Sequence, residues 1–175
     1  NAPMLIRQGR SKLLEKWITA LPEEHLKSDS WSNYWLATCR LSSNPVQSRA
    51  LFERAFELFN SSGDEAGTLL AWSGAVQTFL YVFDDFSPLD RWIAWLDERG
   101  GKDASFPSPE IALIVAAGMT AALSWRNPVH PDTRKWVDRA LSLSKNSPNI
   151  EASTRAYTNS AVYYLWSGMF GECGV

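Results

Sequence analysis

The sequence predicts an all-α fold, an α-solenoid made of stacked antiparallel helix pairs. Three observations support this prediction. Apolar residues recur at steps of three and four along most of the 175 residues, whereas the alternation typical of β-strands is nowhere sustained. Signals for helix starts recur about every 43 residues. Broadly apolar helices alternate with helices that are apolar on one side only, as expected when helix pairs stack in a row.

A Ser or Asn residue stands directly before a proline at five places. Ser and Asn are favoured N-caps, because their side-chain oxygens accept hydrogen bonds from unpaired amides, and proline suits the first helical position. Each dipeptide therefore predicts a helix that starts at or near it. The five dipeptides are Asn44-Pro45, Ser87-Pro88, Ser108-Pro109, Asn127-Pro128 and Ser147-Pro148.

The apolar pattern predicts the extent of about eight helices. A short helix at 13–21 is closed by Leu21-Pro22. Broadly apolar helices, which need neighbours on more than one side, are expected at 31–41, 65–83, 109–125 and 149–167. Helices with a single apolar side are expected at 45–60, 88–99 and 131–144.

An internal repeat follows from the positions of three prolines. Pro45, Pro88 and Pro131 each lie near the start of a one-sided helix and are 43 residues apart twice. The pair Arg54-Ala55 recurs as Arg139-Ala140, 85 residues later. A repeated helix pair of this length is typical of α-solenoids, and the alternative is a coincidence of capping motifs in an ordinary helical bundle.

Composition excludes several classes of function. The formal net charge is -2 and the pI is about 5.7, which argues against binding nucleic acid or anionic membranes through bulk charge. The longest nearly apolar stretch, Ile111 to Leu123, is shorter than the ~20 residues that span a bilayer. Since no secretory signal is present, we expect a cytoplasmic protein in which Cys39 and Cys173 are reduced thiols, with a disulfide as the alternative.

The nine tryptophans are many for a chain of this length. Each aromatic side chain can bury ~150–250 Å². We therefore expect most of the nine to be packed between helices, and any exposed cluster of them to be a candidate interface.

Several segments resemble known helical repeats. Gly168-Met169-Phe170 resembles the turn of tetratricopeptide repeats, and the Arg-Ala pairs resemble their second helix. The chain is also similar to the repeat domain of MalT-like (LuxR-type) bacterial transcriptional regulators and related signal-transduction NTPases. The segments that carry this similarity are Trp17-Ile18-Thr19-Ala20-Leu21-Pro22-Glu23-Glu24, then Trp31 and Trp35, and then Ser48-Arg49-Ala50-Leu51-Phe52-Glu53-Arg54-Ala55.

The resemblance implies a right-handed α-solenoid of tetratricopeptide-like antiparallel helix pairs over residues 1–175. In such regulators the repeats lie between an N-terminal nucleotide-binding switch and a C-terminal DNA-binding or output domain, and the sequence contains neither a P-loop motif nor a basic recognition helix. We therefore expect a single domain excised from a larger protein. The function implied is non-catalytic binding of a protein segment or small effector. The alternatives are a stand-alone scaffold and, third, an enzyme with a site on the concave face.

Candidate binding residues are polar or amphipathic side chains on broadly apolar helices, because the first helices of stacked pairs line the concave face. They are Gln77, Tyr81, Arg155, Asn159 and Tyr163. The alternative for each is a satisfied contact between helices. We expect no cofactor and no metal. Asp84, Asp85 and Asp90 could bind a cation, but such residues more often cap a turn or a helix. Self-association through terminal helices is a further possibility.

Overall fold

The computed structural model describes residues 1–171, except for the side chain of Lys102, and within them it contains α-helices and no strand. The all-α prediction is therefore confirmed for these residues. The helices are α1 (Ala2–Arg7), α2 (Ser11–Thr19), α3 (Glu23–Ser28), α4 (Ser30–Arg40), α5 (Pro45–Ser62), α6 (Glu65–Val82), α7 (Leu89–Asp97), α8 (Pro109–Arg126), α9 (Thr133–Ser144) and α10 (Ile150–Trp166). A short 3-10 helix covers Gly101–Asp103.

Two of the five Ser/Asn-Pro dipeptides cap helices as predicted. The Asn44 side-chain oxygen accepts a hydrogen bond from the Gln47 amide at 3.1 Å at the start of α5. The Ser108 hydroxyl oxygen accepts one from the Ile111 amide at 3.2 Å at the start of α8. In both helices proline occupies the first turn, where its missing N–H leaves no bond unmade.

The other three dipeptides do not provide a side-chain cap, although α7 and α10 begin within two residues of Pro88 and Pro148, as predicted. The Ser87 hydroxyl donates instead to the Asp85 carboxylate at 2.7 Å, and α7 begins without a side-chain cap. Asn149, rather than Ser147, caps α10. Asn127 lies at the end of α8, because the proline that follows it cannot continue that helix. The helix start predicted at Asn127 is therefore wrong.

Contacts between helices divide the chain into two compact units, Asn1–Asp84 (unit 1) and Asp85 onward (unit 2). In unit 1, α4 packs against α2, α3 and α5, and α5 packs against α6. The core beneath the first helices consists of Leu5, Leu14, Ile18, Leu36 and Cys39. Leu5 belongs to α1, a six-residue helix that the sequence did not predict.

Two glycines allow α5 and α6 to approach closely. Phe52 and Phe59 lie two turns apart on α5, and their rings rest on Gly74 and Gly67, which lie two turns apart on α6. A Cβ atom at either glycine would lie under 3.0 Å from the facing ring. Because the later phenylalanine meets the earlier glycine, the two helices run antiparallel.

In unit 2, α8 packs against α7, α9 and α10, and α9 also packs against α10. The helices α8 and α10 are parallel, because their starts, middles and ends are in contact in the same order. The three contacts are a 2.7 Å hydrogen bond from Asn149 to Glu110, a 3.0 Å hydrogen bond from Asn159 to the Ala117 carbonyl, and ring packing of Trp125 with Trp166 at 4.4 Å between centroids.

The two Arg-Ala pairs make the same kind of contact in their separate units. Arg54 on α5 donates to the Lys27 carbonyl at 2.8 Å, and Arg139 on α9 donates to the Ala104 carbonyl at 2.9 Å. Each bond links a one-sided helix to the backbone that precedes its partner helix, α4 or α8. The one-sided helices α5, α7 and α9 begin at residues 45, 89 and 133, a constant step of 44.

Candidate binding surface

The tryptophans separate into packed and exposed groups. Six of the nine are buried or half-buried, as the sequence led us to expect. Trp17, Trp31 and Trp166 are exposed, with 56%, 39% and 52% of their surface accessible. Exposed tryptophans are candidate anchors for a partner, because aromatic side chains dominate binding energies at protein interfaces.

Trp166 belongs to an aromatic cluster in unit 2 that we call the Trp125 cluster (Phe86, Trp125 and Trp166). The Trp125 and Trp166 ring planes are nearly perpendicular, at 81°. Phe86, in the segment before α7, stacks on Trp125 with 5.3 Å between centroids and 19° between planes. Since α8 and α10 are parallel, their C-terminal ends bring the two tryptophans together. The result is a partly exposed aromatic surface with faces in two orientations.

Charged side chains lie next to this cluster. Arg126, which follows Trp125, forms an ion pair with Asp90 at 2.7 Å, and the hydrogen bond from this pair raises the pKa of Arg126. Asp85, which precedes Phe86, accepts hydrogen bonds from the Ser87 amide at 2.8 Å and the Ser87 hydroxyl at 2.7 Å. These bonds, with a smaller contribution from the Arg126 charge, lower the pKa of Asp85. Asp85 is therefore ionised at neutral pH.

Three of the residues predicted from the sequence lie on α10 in unit 2. Asn159 donates its side-chain amide to the Ala117 carbonyl of α8, so it contributes to packing between the two helices. Tyr163 is 7% exposed and its ring packs against Tyr164 with centroids 5.5 Å apart. Arg155 is half-buried. Asn159 and Tyr163 therefore take part in the internal packing of unit 2.

The other two predicted residues, Gln77 and Tyr81, lie one turn apart on α6 in unit 1. Gln77 is half-buried, whereas Tyr81 is 49% exposed. Tyr81 is therefore the most accessible of the five predicted residues.

Unit 1 has an aromatic surface of its own on α4. The rings of Trp31 and Trp35 stack with centroids 6.1 Å apart, and Tyr34 meets Trp35 edge-on at 4.9 Å. The Trp31 ring also packs edge-on against buried Phe59 at 4.9 Å. This surface is anchored to the α5–α6 packing beneath it.

The Trp125 cluster was not among the sites predicted from the sequence. The residues predicted there were polar side chains on apolar helices, and such side chains, for example Asn159, can be bonded to a neighbouring helix instead. A signal was present, since Trp125 and Trp166 both fall in the last turn of a broadly apolar helix. These positions predict a shared aromatic cluster only when α8 and α10 are known to be parallel neighbours.

Two further features bear on chemistry and location. Within residues 1–171, no group of three or more His, Cys, Asp or Glu side chains is placed to hold a metal ion. None of the helices described in this range is both long and apolar enough to cross a bilayer. Cys39 is a buried free thiol, whereas Cys173 lies outside the described residues.

The chain matches no protein-family model, no curated protein and no solved structure.

Proposed function

We propose that this chain is a non-catalytic helical-repeat module that binds a protein segment through the Trp125 cluster. The repeat architecture we infer is the α-solenoid of tetratricopeptide-like pairs. Support comes from the constant step of 44 residues between the starts of α5, α7 and α9, and from the equivalent backbone contacts of Arg54 and Arg139. Stacked helix pairs typically present extended binding surfaces.

The observation on which the binding role rests is the exposure of Trp166 beside Trp125. About half of the Trp166 surface is accessible, although its ring packs against Trp125 and is thereby held in one orientation. A partner that covers a ring already fixed in place loses little side-chain entropy on binding. Such preorganised aromatic groups are typical anchors for peptides.

The wider setting we propose is a bacterial multi-domain regulator, in which this module senses a partner or effector for attached domains. The similarity to MalT-like regulators supports this setting, and a stand-alone scaffold is the alternative. The coding sequence on either side of the segment decides between the two. An adjoining nucleotide-binding or DNA-binding domain supports the regulator.

Selection from a random peptide library tests the binding role. We expect the purified chain to enrich peptides whose binding is lost in Trp166→Ala and retained in Tyr157→Ala. Tyr157 is a matched control, because it is an exposed aromatic residue on the same helix, 44% accessible, outside the cluster. Peptides that bind both variants equally, or no enrichment at all, would refute a binding role for the cluster.

A further inference from the structure

We propose that the Trp125 cluster binds a cationic side chain, arginine or lysine, of an extended partner segment, an inference that rests on the proposed function. Three features of unit 2 favour a positive charge at this place. They are the aromatic faces, the C-terminal ends of two parallel helices, and the ionised carboxylate of Asp85.

The aromatic faces supply the first attraction. A guanidinium or ammonium group is attracted to the negative face of an aromatic ring within ~6 Å of its centroid, and tryptophan is the strongest such partner. Rings elsewhere in this chain already bind guanidinium groups in this way. Arg99 lies 3.8 Å from the centroid of Trp95, and Arg49 lies 3.6 Å from the centroid of Phe79. The Trp166 ring presents a similar surface to a partner.

Helix ends supply the second attraction. The helices α8 and α10 contain 18 and 17 residues, and their C-terminal ends meet at the cluster. Each C-terminus has a partial negative charge from its aligned peptide dipoles, and a basic residue in the last turn normally balances it. Arg126 fills this position on α8, whereas the last turn of α10 contains no basic residue of its own. Arg134 of α9 lies 5.3 Å from the Tyr164 ring in that turn, but its charge is paired with Asp138 at 3.0 Å. A cation from a partner would take the corresponding position on α10.

The rim charges supply the third attraction. Arg126 is held by Asp90 in an ion pair, so these two charges balance each other. The carboxylate of Asp85 adds a further negative charge, so the charged side chains beside the cluster (Asp85, Asp90 and Arg126) are negative in sum. Because Ser87 holds this carboxylate through two hydrogen bonds, it keeps its place beside Phe86. An anionic segment would be repelled here, and a purely apolar one would leave these attractions unused.

The experiment follows the indole N–H signals of Trp125 and Trp166 by NMR, each assigned with its Trp→Phe variant. The probe is an acetylated, amidated peptide of sequence Gly-Ser-Arg-Ser-Gly, and its control carries citrulline in place of arginine. Citrulline keeps the length and planar shape of the arginine side chain but has no charge. We expect saturable shifts of both indole signals with the arginine peptide, weakened by salt, and at least about threefold weaker binding of the citrulline peptide.

Variants locate the charge that matters. Asp85→Asn should weaken arginine-peptide binding about three- to tenfold. Glu151→Gln makes the same charge change at the other end of α10 and should leave binding unchanged. Equal binding of the arginine and citrulline peptides, or equal effects of the two variants, overturns the proposal.

The two proposals fail separately. If library peptides depend on Trp166 but contain no excess of arginine or lysine, the binding role stands and the cationic partner is wrong. If no peptide depends on Trp166, both are wrong.

Discussion

Replacing Gly74 by alanine is the most direct test of the packing between α5 and α6. Three ring atoms of Phe52 lie within 3.0 Å of the position that the new Cβ would take. Phe52 is only 2% exposed, so its ring is enclosed and must push other core residues aside to make room. We therefore expect Gly74→Ala to destabilise unit 1.

Two opposing effects determine how much Gly74→Ala changes the free energy of unfolding. Alanine in place of glycine inside a helix stabilises it by ~1 kcal/mol. Overpacking an enclosed core site costs ~1–3 kcal/mol, and the contact here involves three atoms of a rigid ring. This rigid contact puts the overpacking cost at the upper end of its range, about 2–3 kcal/mol, so we expect a net loss of about 1–2 kcal/mol in the free energy of unfolding. A companion change, Phe52→Leu, removes the ring and should make the two substitutions less costly together than the sum of their separate effects.

Guanidinium unfolding followed by far-UV circular dichroism gives the stability of each variant, and amide hydrogen exchange shows whether the loss falls on α5 and α6. A gain of ~1 kcal/mol in Gly74→Ala would mean that only helix propensity is at work. Additive effects of Gly74→Ala and Phe52→Leu would likewise show that the ring and the glycine are not in contact. Either result would refute the close approach of the two helices.

Two further predictions concern single residues of unit 1. Phe83 ends α6 in the left-handed conformation, with φ of 54°, and is 59% exposed. Phe83→Gly should relieve the backbone strain and raise the free energy of unfolding by up to ~1 kcal/mol. A lower unfolding midpoint would contradict this prediction. Burial, and then the Glu15 charge, raise the pKa of Cys39 to about 11, so little of this thiol is ionised at pH 8. In a Cys173→Ser background, iodoacetamide at pH 8 should therefore alkylate the native chain at least about 100-fold more slowly than the unfolded chain. Because the pKa of Cys39 is higher in the folded chain than in the unfolded chain, the protonated thiol favours the folded state, and this stabilisation is lost as pH rises towards 11. Equal alkylation rates of the native and unfolded chains would refute the raised pKa.

The helices that the sequence predicted well have a sustained apolar pattern, and the long helix α8 also has a side-chain cap. The expected range of 109–125 differs by one residue from α8, because Ser108 caps its start and its apolar residues continue to the end. The six-residue helices α1 and α3 have no such pattern, and of their residues only Leu5 is buried. Their formation depends on packing against later helices, which local sequence does not show.

The error at Asn127 has a physical cause. Asn44 and Asn127 both precede proline, but the first follows a turn and the second follows the long helix α8. Proline at the first helical position and proline just after a helix are both favourable. The dipeptide alone therefore does not distinguish a start from an end, and the residues before it decide.

The binding surface was harder to predict than the helices, because it depends on which helices are neighbours. Asn159 looked like a binding residue, since a polar side chain on an apolar helix needs a partner, and its partner is the Ala117 carbonyl. Trp166 was not distinguished from the other tryptophans, most of which we expected to be packed between helices. Its exposure depends on how α8 and α10 pair. This pairing brings together Trp125 and Trp166, which are 41 positions apart in the sequence.

The Trp125 cluster should bind an arginine or lysine side chain in preference to a free inorganic cation, because the exposed ring of Trp166 is large. Trp166 is 52% exposed, and a tryptophan can bury ~150–250 Å², so a partner can cover about 100 Å² of it. At ~25 cal/mol/Å² this apolar contact contributes about 2–3 kcal/mol. The methylene groups of arginine and lysine can lie along the indole while their charged ends remain in water beside Asp85. A small inorganic cation gains the electrostatic attraction alone, and therefore leaves most of this contact unused.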